Sequence, residues 1–189
     1  ERLFEMAEIR QALAQCFKEL MQEKSFQKII VKDITDRANV KRPTFYTYFR
    51  DKYDVVEWIF MQEIWQPANS LIAAGYIREG LRFMLISMEK DKHYYRKLAA
   101  LEGQNSFQEI FVRCIRQEVE QALRENAFQP SHHLLSVELI SEYFARIFWF
   151  VTEKWLNYAE EVSALEVMEI YEILFSDSAE KLLGHKVEG

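Results

Sequence analysis

Apolar residues at positions 6, 9, 13, 16, 17, 20 and 21 recur at three-to-four spacing and predict an amphipathic helix over 3–21. It ends near Glu23-Lys24-Ser25. The apolar run Phe26, Ile29, Ile30, Val31 is too short and isolated to make a convincing strand and reads as a connector that plugs the core. Residues 32–38 predict a short helix burying Ile34 and Ala38 at i, i+4, closed at Asn39, which tolerates the left-handed conformation. After the turn Val40-Lys41-Arg42, Pro43 opens the next helix, where its fixed φ helps and its missing N–H costs nothing. That helix, 44–49, sets Phe45 and Phe49 on one face and leaves Thr44, Tyr46, Thr47 and Tyr48 largely on the others.

Asp51 reads as the N-cap of a longer helix that passes Trp58 and Ile64 and stops before Pro67. The pattern stays helical over 68–89 and again over 93–101, with Gly103 as a stop. Ser106-Phe107-Gln108-Glu109 is a capping box opening a helix to about residue 126. Pro130-Ser131 opens a long helix to about 158, and Ser163-Ala164-Leu165-Glu166 is a second capping box opening the last one, to about 183. There is no repeat, low-complexity tract or long linker, so the expected fold is all-α, with roughly nine helices.

Composition agrees with that reading. Only 5 Gly and 3 Pro punctuate 189 residues, where average usage would supply about 13 and 9. A hydrophobic fraction of 49% and an aromatic fraction of 14% provide a core and exclude intrinsic disorder. No apolar run approaches the ~18 residues of a membrane span. The first five residues are not a secretory signal. The chain opens without Met, which leaves room for a preceding piece. Cys16 and Cys114 lack disulfide-framework or zinc spacing and read as buried, inert thiols in a reducing cytoplasm.

The net charge of −6 argues against nucleic acid until it is divided by position. Residues 1–53 hold 11 Lys/Arg against 8 Asp/Glu, a net of +3, and residues 54–189 carry −9. Eight basic residues lie within 24–52: Lys24, Lys28, Lys32, Arg37, Lys41, Arg42, Arg50 and Lys52. A small basic module therefore sits on a larger acidic body, a charge asymmetry that hints at nucleic-acid contact. The expected division is a DNA-binding domain over 1–52 and a helical body over 53–189.

Two short helices around a tight turn, preceded by a third, form a helix-turn-helix unit whose second helix is the one expected in a major groove. Thr44, Tyr46 and Tyr48 are hydroxyl donors suited to phosphate oxygens, and Thr47 shares their exposed surface. Lys52 adds charge at a helix N-terminus, and Arg42 leads the recognition helix with a fork able to read guanine O6 and N7. Lys32, opening the preceding helix, is a second candidate for base or phosphate.

The stretch 31–52 resembles the DNA-binding signature of TetR-family transcriptional regulators. It matches at Asp33, Ile34, Ala38, Val40, Arg42, Thr44, Phe45, Tyr46, Tyr48, Phe49 and Lys52. Thr35 stands where a small Ala is usual, Asn39 replaces Gly, and Lys41 replaces a Ser cap, exchanging a cap for a phosphate-seeking charge. The resemblance implies a homodimer on a palindromic operator, with a helical body that encloses a small-molecule effector and shifts the spacing of the two heads. The last two long helices would form the dimer bundle, with Phe148, Trp149, Phe150, Trp155, Val167 and Tyr171 either at that seam or facing the monomer core.

Tyr94-Tyr95-Arg96-Lys97 and Glu102-Gly103-Gln104-Asn105-Ser106-Phe107 resemble a subgroup that includes the activator of dihydroxyacetone-kinase operons. That likeness implies activation and a protein co-regulator, although residues 93–111 also read as a plain capped helix junction. No nucleophile elbow, P-loop or dinucleotide fingerprint is present, so no enzyme and no cofactor are expected. His132-His133 lacks companions at metal-ligand spacing, and no metal site is expected.

Overall fold

The computed structural model describes residues 2–158 and 161–176, and every regular element among them is helical. Helix α1, Arg2–Glu23, turns Leu13, Phe17, Leu20 and Met21 inward. A 3-10 turn, Phe26–Lys28, follows, and Phe26 and Ile29 plug the core as the connector was expected to do. Ile30 does not: it is 57% exposed, because it supplies the extended residue from which α2, Val31–Arg37, departs. Helices α3 (Arg42–Tyr48) and α4 (Lys52–Phe60) close the head, α3 packing on α2 and α4 on α1, and bury Phe45, Phe49, Val55 and Ile59. Phe17 meets Phe26 edge-on at 6.1 Å, and Phe26 meets Tyr53 at 4.8 Å.

The helix expected to stop before Pro67 runs through it. Between α4 and α5 (Gln66–Ala73) lies a π-helical turn, Met61–Trp65, where the Gln66 N–H reaches back five residues to the Met61 carbonyl. Proline in a regular helix clashes with the carbonyl four residues back. The wider turn just ahead of Pro67 relieves that clash, so the rod continues.

The single helix expected over 68–89 is instead two. Gly75 adopts φ +89°, its N–H bonding to the Ile72 carbonyl while the Tyr76 N–H bonds to that of Leu71, each at 2.9 Å. This paired closure ends α5 and starts α6, Ile77–Lys90. The two pack closely because Gly80 faces α5: a Cβ there would lie 2.5 Å from Ile72 Cγ1 and 2.8 Å from the Ala68 carbonyl oxygen.

Helices α7 (Lys92–Ala99), α8 (Phe107–Glu125), α9 (Val137–Asn157) and α10 (Ala164–Ser176) complete the body. Ser106 caps α8 by accepting from the Glu109 N–H at 3.4 Å, while the Glu109 carboxylate takes the Asn105 N–H at 2.9 Å. The second capping box is fully reciprocal: Ser163 N–H to Glu166 at 2.8 Å, Glu166 N–H to Ser163 Oγ at 3.3 Å. Helix α9 starts later than Pro130-Ser131 suggested, because Ser136 provides the cap, accepting from the Leu139 N–H at 3.1 Å. The expected end of the last helix, near 183, lies outside the described residues. The body's interior is aromatic: Phe107 touches Phe60, Tyr95, Phe111 and Trp149 at centroid distances of 5.2–6.3 Å.

Head and body are tied across α1. Lys18 donates to Glu63 in the π turn at 2.8 Å and to Asp91 before α7 at 2.6 Å. Burial alone would lower its pKa, but the two carboxylate hydrogen bonds outweigh it and raise it. Lys97 reaches the Met21 carbonyl, and Arg113 of α8 pairs with Glu57 of α4 at 2.5 Å. Cys114 is buried, which pushes its thiol up to about 11, whereas Cys16 is half-buried. No helix among the described residues is long and apolar enough to cross a membrane.

Candidate nucleic-acid interface

The recognition helix is held by its aromatic face. Phe45 and Phe49 are buried, and burying each phenyl contributes about 1.5–3 kcal/mol. With that face fixed, Arg42, Pro43, Tyr46 and Thr47 are exposed, and Thr44 and Tyr48 are half-buried. Asn39 takes φ +52° and closes α2 through Val40 N–H to Thr35 O at 3.0 Å, which sets the turn between the two helices. Thr35, the departure from a small residue, is buried, and its hydroxyl donates to the Lys32 carbonyl at 3.1 Å, so the extra oxygen is satisfied. Asp33 receives the Ile30 N–H at 3.0 Å and pairs with Lys24 at 3.1 Å; these contacts hold its carboxyl below its ordinary value.

The eight basic residues of 24–52 divide into two groups. Lys24 is committed to Asp33, Arg37 to Glu23 at 2.7 Å, and Arg50 to Asp54 at 3.3 Å. Lys52 is turned inward. Its ammonium donates to the carbonyls of Phe26 (2.8 Å), Ile29 (2.9 Å) and Gln27 (3.4 Å) and lies 4.4 Å from the Phe26 ring centre. Burial lowers its pKa. Where a phosphate contact was expected, all three of its donors pin the connector onto α4. Lys28, Lys32, Lys41 and Arg42 are exposed and have no acidic partner among the described residues. Lys28 was not singled out from the sequence, although it lies in the same basic run.

Arg42 has a different partner. Its Nη2 donates to the Tyr46 hydroxyl at 3.1 Å, and its guanidinium carbon lies 5.6 Å from the Tyr46 ring centre. One helical turn separates them, the spacing at which side chains on a helix meet. The Tyr46 ring in turn stands edge-on to buried Phe45, at 5.5 Å and 89°. Thr47 donates to the Pro43 carbonyl at 3.3 Å.

The residues expected at the dimer seam are mostly core. Phe148, Trp149, Trp155, Val167 and Tyr171 are all buried within the chain. Trp149 packs on Phe107 and Phe111, Trp155 Nε1 donates to the Val162 carbonyl at 2.7 Å, and the Tyr171 hydroxyl donates to the Phe148 carbonyl at 2.8 Å. Of the set only Phe150 faces out, at 58% exposure. It is joined by Leu139 and Tyr143 on α9 and by Ile170, Ile173 and Leu174 on α10. Helix α9 is apolar on two faces, so its periodicity alone did not separate the inner one from the outer.

Residues 18–59 match the model for bacterial regulatory proteins of the tetR family. The chain is 27% identical over 100 residues to the HTH-type dhaKLM operon transcriptional activator DhaS of Lactococcus lactis subsp. lactis (strain IL1403); the match covers 53% of this chain and 52% of that one. The chain thus spans about half the length of the curated relative it matches. Among solved structures, a putative TetR-family transcriptional regulator from Syntrophomonas wolfei str. Goettingen superposes with a TM-score of 0.68 at 18% identity, covering 97% of this chain and 99% of that one. A dihydroxyacetone kinase operon activator DhaS superposes with a TM-score of 0.63 at 20% identity, covering 89% and 92%. Taken with the three-helix head and its recognition helix, these likenesses identify residues 18–59 as a head of the tetR-family type, on a body that shares the fold of the TetR-family regulators it superposes on.

Proposed function

We propose that the chain is a dimeric transcriptional regulator, not an enzyme, that binds a palindromic operator through its helix-turn-helix and responds to an effector. It acts in the cytoplasm. The observation that carries the reading is the division of the head's charges. Acids and carbonyls engage four of the cations, while Lys28, Lys32, Lys41 and Arg42 are exposed with no acidic partner among the described residues, Arg42 resting on the exposed Tyr46. The three lysines supply the phosphate contacts, with Thr44 and Tyr48 at the edge of the same face, and Arg42 supplies a base-reading fork.

The outward apolar residues of α9 and α10 support a dimer, because an exposed apolar patch of this kind is suited to burial against a second copy. Two heads related by a two-fold axis meet two half-sites in inverted order. An effector response is supported by a polar cleft of about 570 Å³ between α8 and α9, lined by Arg113, Arg116, Glu142 and Arg146 among others. Arg113 also holds Glu57 on α4, so an occupant that draws it away loosens the helix carrying the head. A second reading, control by a partner protein, is favoured by the mutual contacts of Phe60, Tyr95, Phe107, Phe111 and Trp149, which fill the body's interior. The relative named as an operon activator makes activation the matching sign of regulation.

The test is an anisotropy titration of the chain against the DNA upstream of its own gene, at several salt concentrations. Steeply salt-dependent, sequence-dependent binding is expected. Equal binding to scrambled duplex overturns the reading. Adding small metabolites and then candidate partner proteins separates the two modes of control, since only the true regulator changes the affinity.

A further inference from the structure

The Arg42–Tyr46 pair bears on how sequence is read, and the inference rests on the DNA-binding function proposed above. A free arginine on a recognition helix samples many rotamers and loses that freedom on binding. Here the side chain is held before DNA arrives. Buried Phe45 fixes the Tyr46 ring edge-on, the Tyr46 hydroxyl accepts from Arg42 Nη2 at 3.1 Å, and the ring lies against the guanidinium. Pro43, immediately after Arg42, fixes the local backbone. The relay runs from core to ring to cation, and every link in it is short.

A guanidinium has five N–H donors arranged along two forked edges that share Nη2, each edge using a different Nη2 hydrogen. One bond to Tyr46 occupies one of those hydrogens and leaves the other fork complete. That remaining fork matches the paired acceptors O6 and N7 of guanine. We infer that Tyr46 is a positioning residue that sets base readout by Arg42, in addition to any contact its hydroxyl makes with phosphate. Specificity at one base pair of each half-site then depends on a phenol oxygen that need not touch the base.

The experiment selects bound sequences from a randomised duplex pool with the wild-type chain, Tyr46→Phe, Arg42→Ala and the double variant. It then measures each protein on the selected duplex and on a single-base change at the position Arg42→Ala relaxes. Tyr46→Phe keeps the ring and removes only the hydroxyl, so the head stays folded. The expected result is an unchanged salt slope and a loss of about two- to tenfold in discrimination at that base pair, the scale of one net hydrogen bond. In the Arg42→Ala background the same change should cost nothing further there. If Tyr46→Phe weakens selected and altered duplexes equally, and does so with or without Arg42, the hydroxyl is an independent phosphate contact and the inference is overturned. A wild-type chain that enriches no sequence overturns the DNA-binding function itself, and the pairing with it.

Discussion

The two ends of this chain solve opposite surface problems with similar interiors. Head and body are both packed with rings: Phe17, Phe26, Phe45 and Phe49 in one, Tyr95, Phe107, Phe111 and Trp149 in the other. What they turn outward differs. The recognition helix shows Arg42, Tyr46 and Thr47, groups with hydrogen-bond donors suited to a polyanion, whereas α9 and α10 show Tyr143, Phe150, Ile170 and Leu174. An interior states how firmly an element is held; its exterior states what it is held for. The first predictions therefore attack interior and exterior separately at each end.

Phe45→Ala should have the largest effect. Removing a fully buried phenyl ring costs about 3–5 kcal/mol, and the ties from Lys18 and Lys97 link the head to the body. A single, strongly shifted denaturation transition followed by far-UV circular dichroism is expected. Two separated transitions would show that head and body fold independently and that those ties are weak. Phe150→Arg is the exterior counterpart. It should leave the monomer's stability within about 0.5 kcal/mol and shift the assembly from dimer to monomer in sedimentation. Trp149→Arg, one residue away but buried against Phe107 and Phe111, should unfold the chain rather than dissociate it.

Lysine sharpens the contrast within the head. Lys52→Ala releases three carbonyls and should cost about 1.5–3 kcal/mol of stability, read from chemical denaturation, with little change in the salt slope of DNA binding where the head remains folded. Lys41→Ala should do the reverse. Stability should stay within about 0.5 kcal/mol, while the slope of log affinity against log salt falls by about 0.9 per head. An equal loss of slope in both variants would mean that Lys52 leaves its carbonyls when DNA binds.

These cases mark what the sequence made legible. The head was read almost in full because its elements are short and each carries its own punctuation: Asn39 in the left-handed region, Pro43 in the first turn, Asp51 accepting from Tyr53 and Asp54. The inward turn of Lys52 was not legible, because a charge at a helix start looks the same from sequence whether it faces solvent or three carbonyls brought in from residues 26–29. Pro67 misled in the other direction. The rule that proline ends a helix assumes a regular turn before it, and the π turn at 61–65 comes from packing that no local pattern announces. The residues left between dimer seam and monomer core were undecided for a third reason. On a helix with two apolar faces, depth is decided by which neighbours pack on each, and α8 and α10 cover the face of α9 bearing Trp149 and Thr152.

The smallest predicted effect compares how helices end at the two extremities. Helix α2 in the head and α5 and α8 in the body close the same way, with one residue at positive φ between paired back-bonds: Asn39 at +52°, Gly75 at +89°, Ala127 at +49°. Ala127 follows the geometry of the others, with its N–H to the Arg124 carbonyl at 3.1 Å and the Phe128 N–H to that of Leu123 at 3.0 Å. Glycine adopts this conformation freely and asparagine with little strain, but alanine pays about 1–2 kcal/mol for its Cβ. Ala127→Gly relieves that strain while adding about 0.4–1 kcal/mol of unfolded-state freedom, so a net gain of about 0.5–1 kcal/mol is expected. In a chain of this size that raises the melting temperature by about 1–4 °C, measurable by calorimetry. Asn39→Gly has less strain to relieve against the same entropy and should move stability by less than about 0.5 kcal/mol in either direction. If Asn39→Gly gained as much as Ala127→Gly, side-chain strain would not be what distinguishes the head's helix end from the body's.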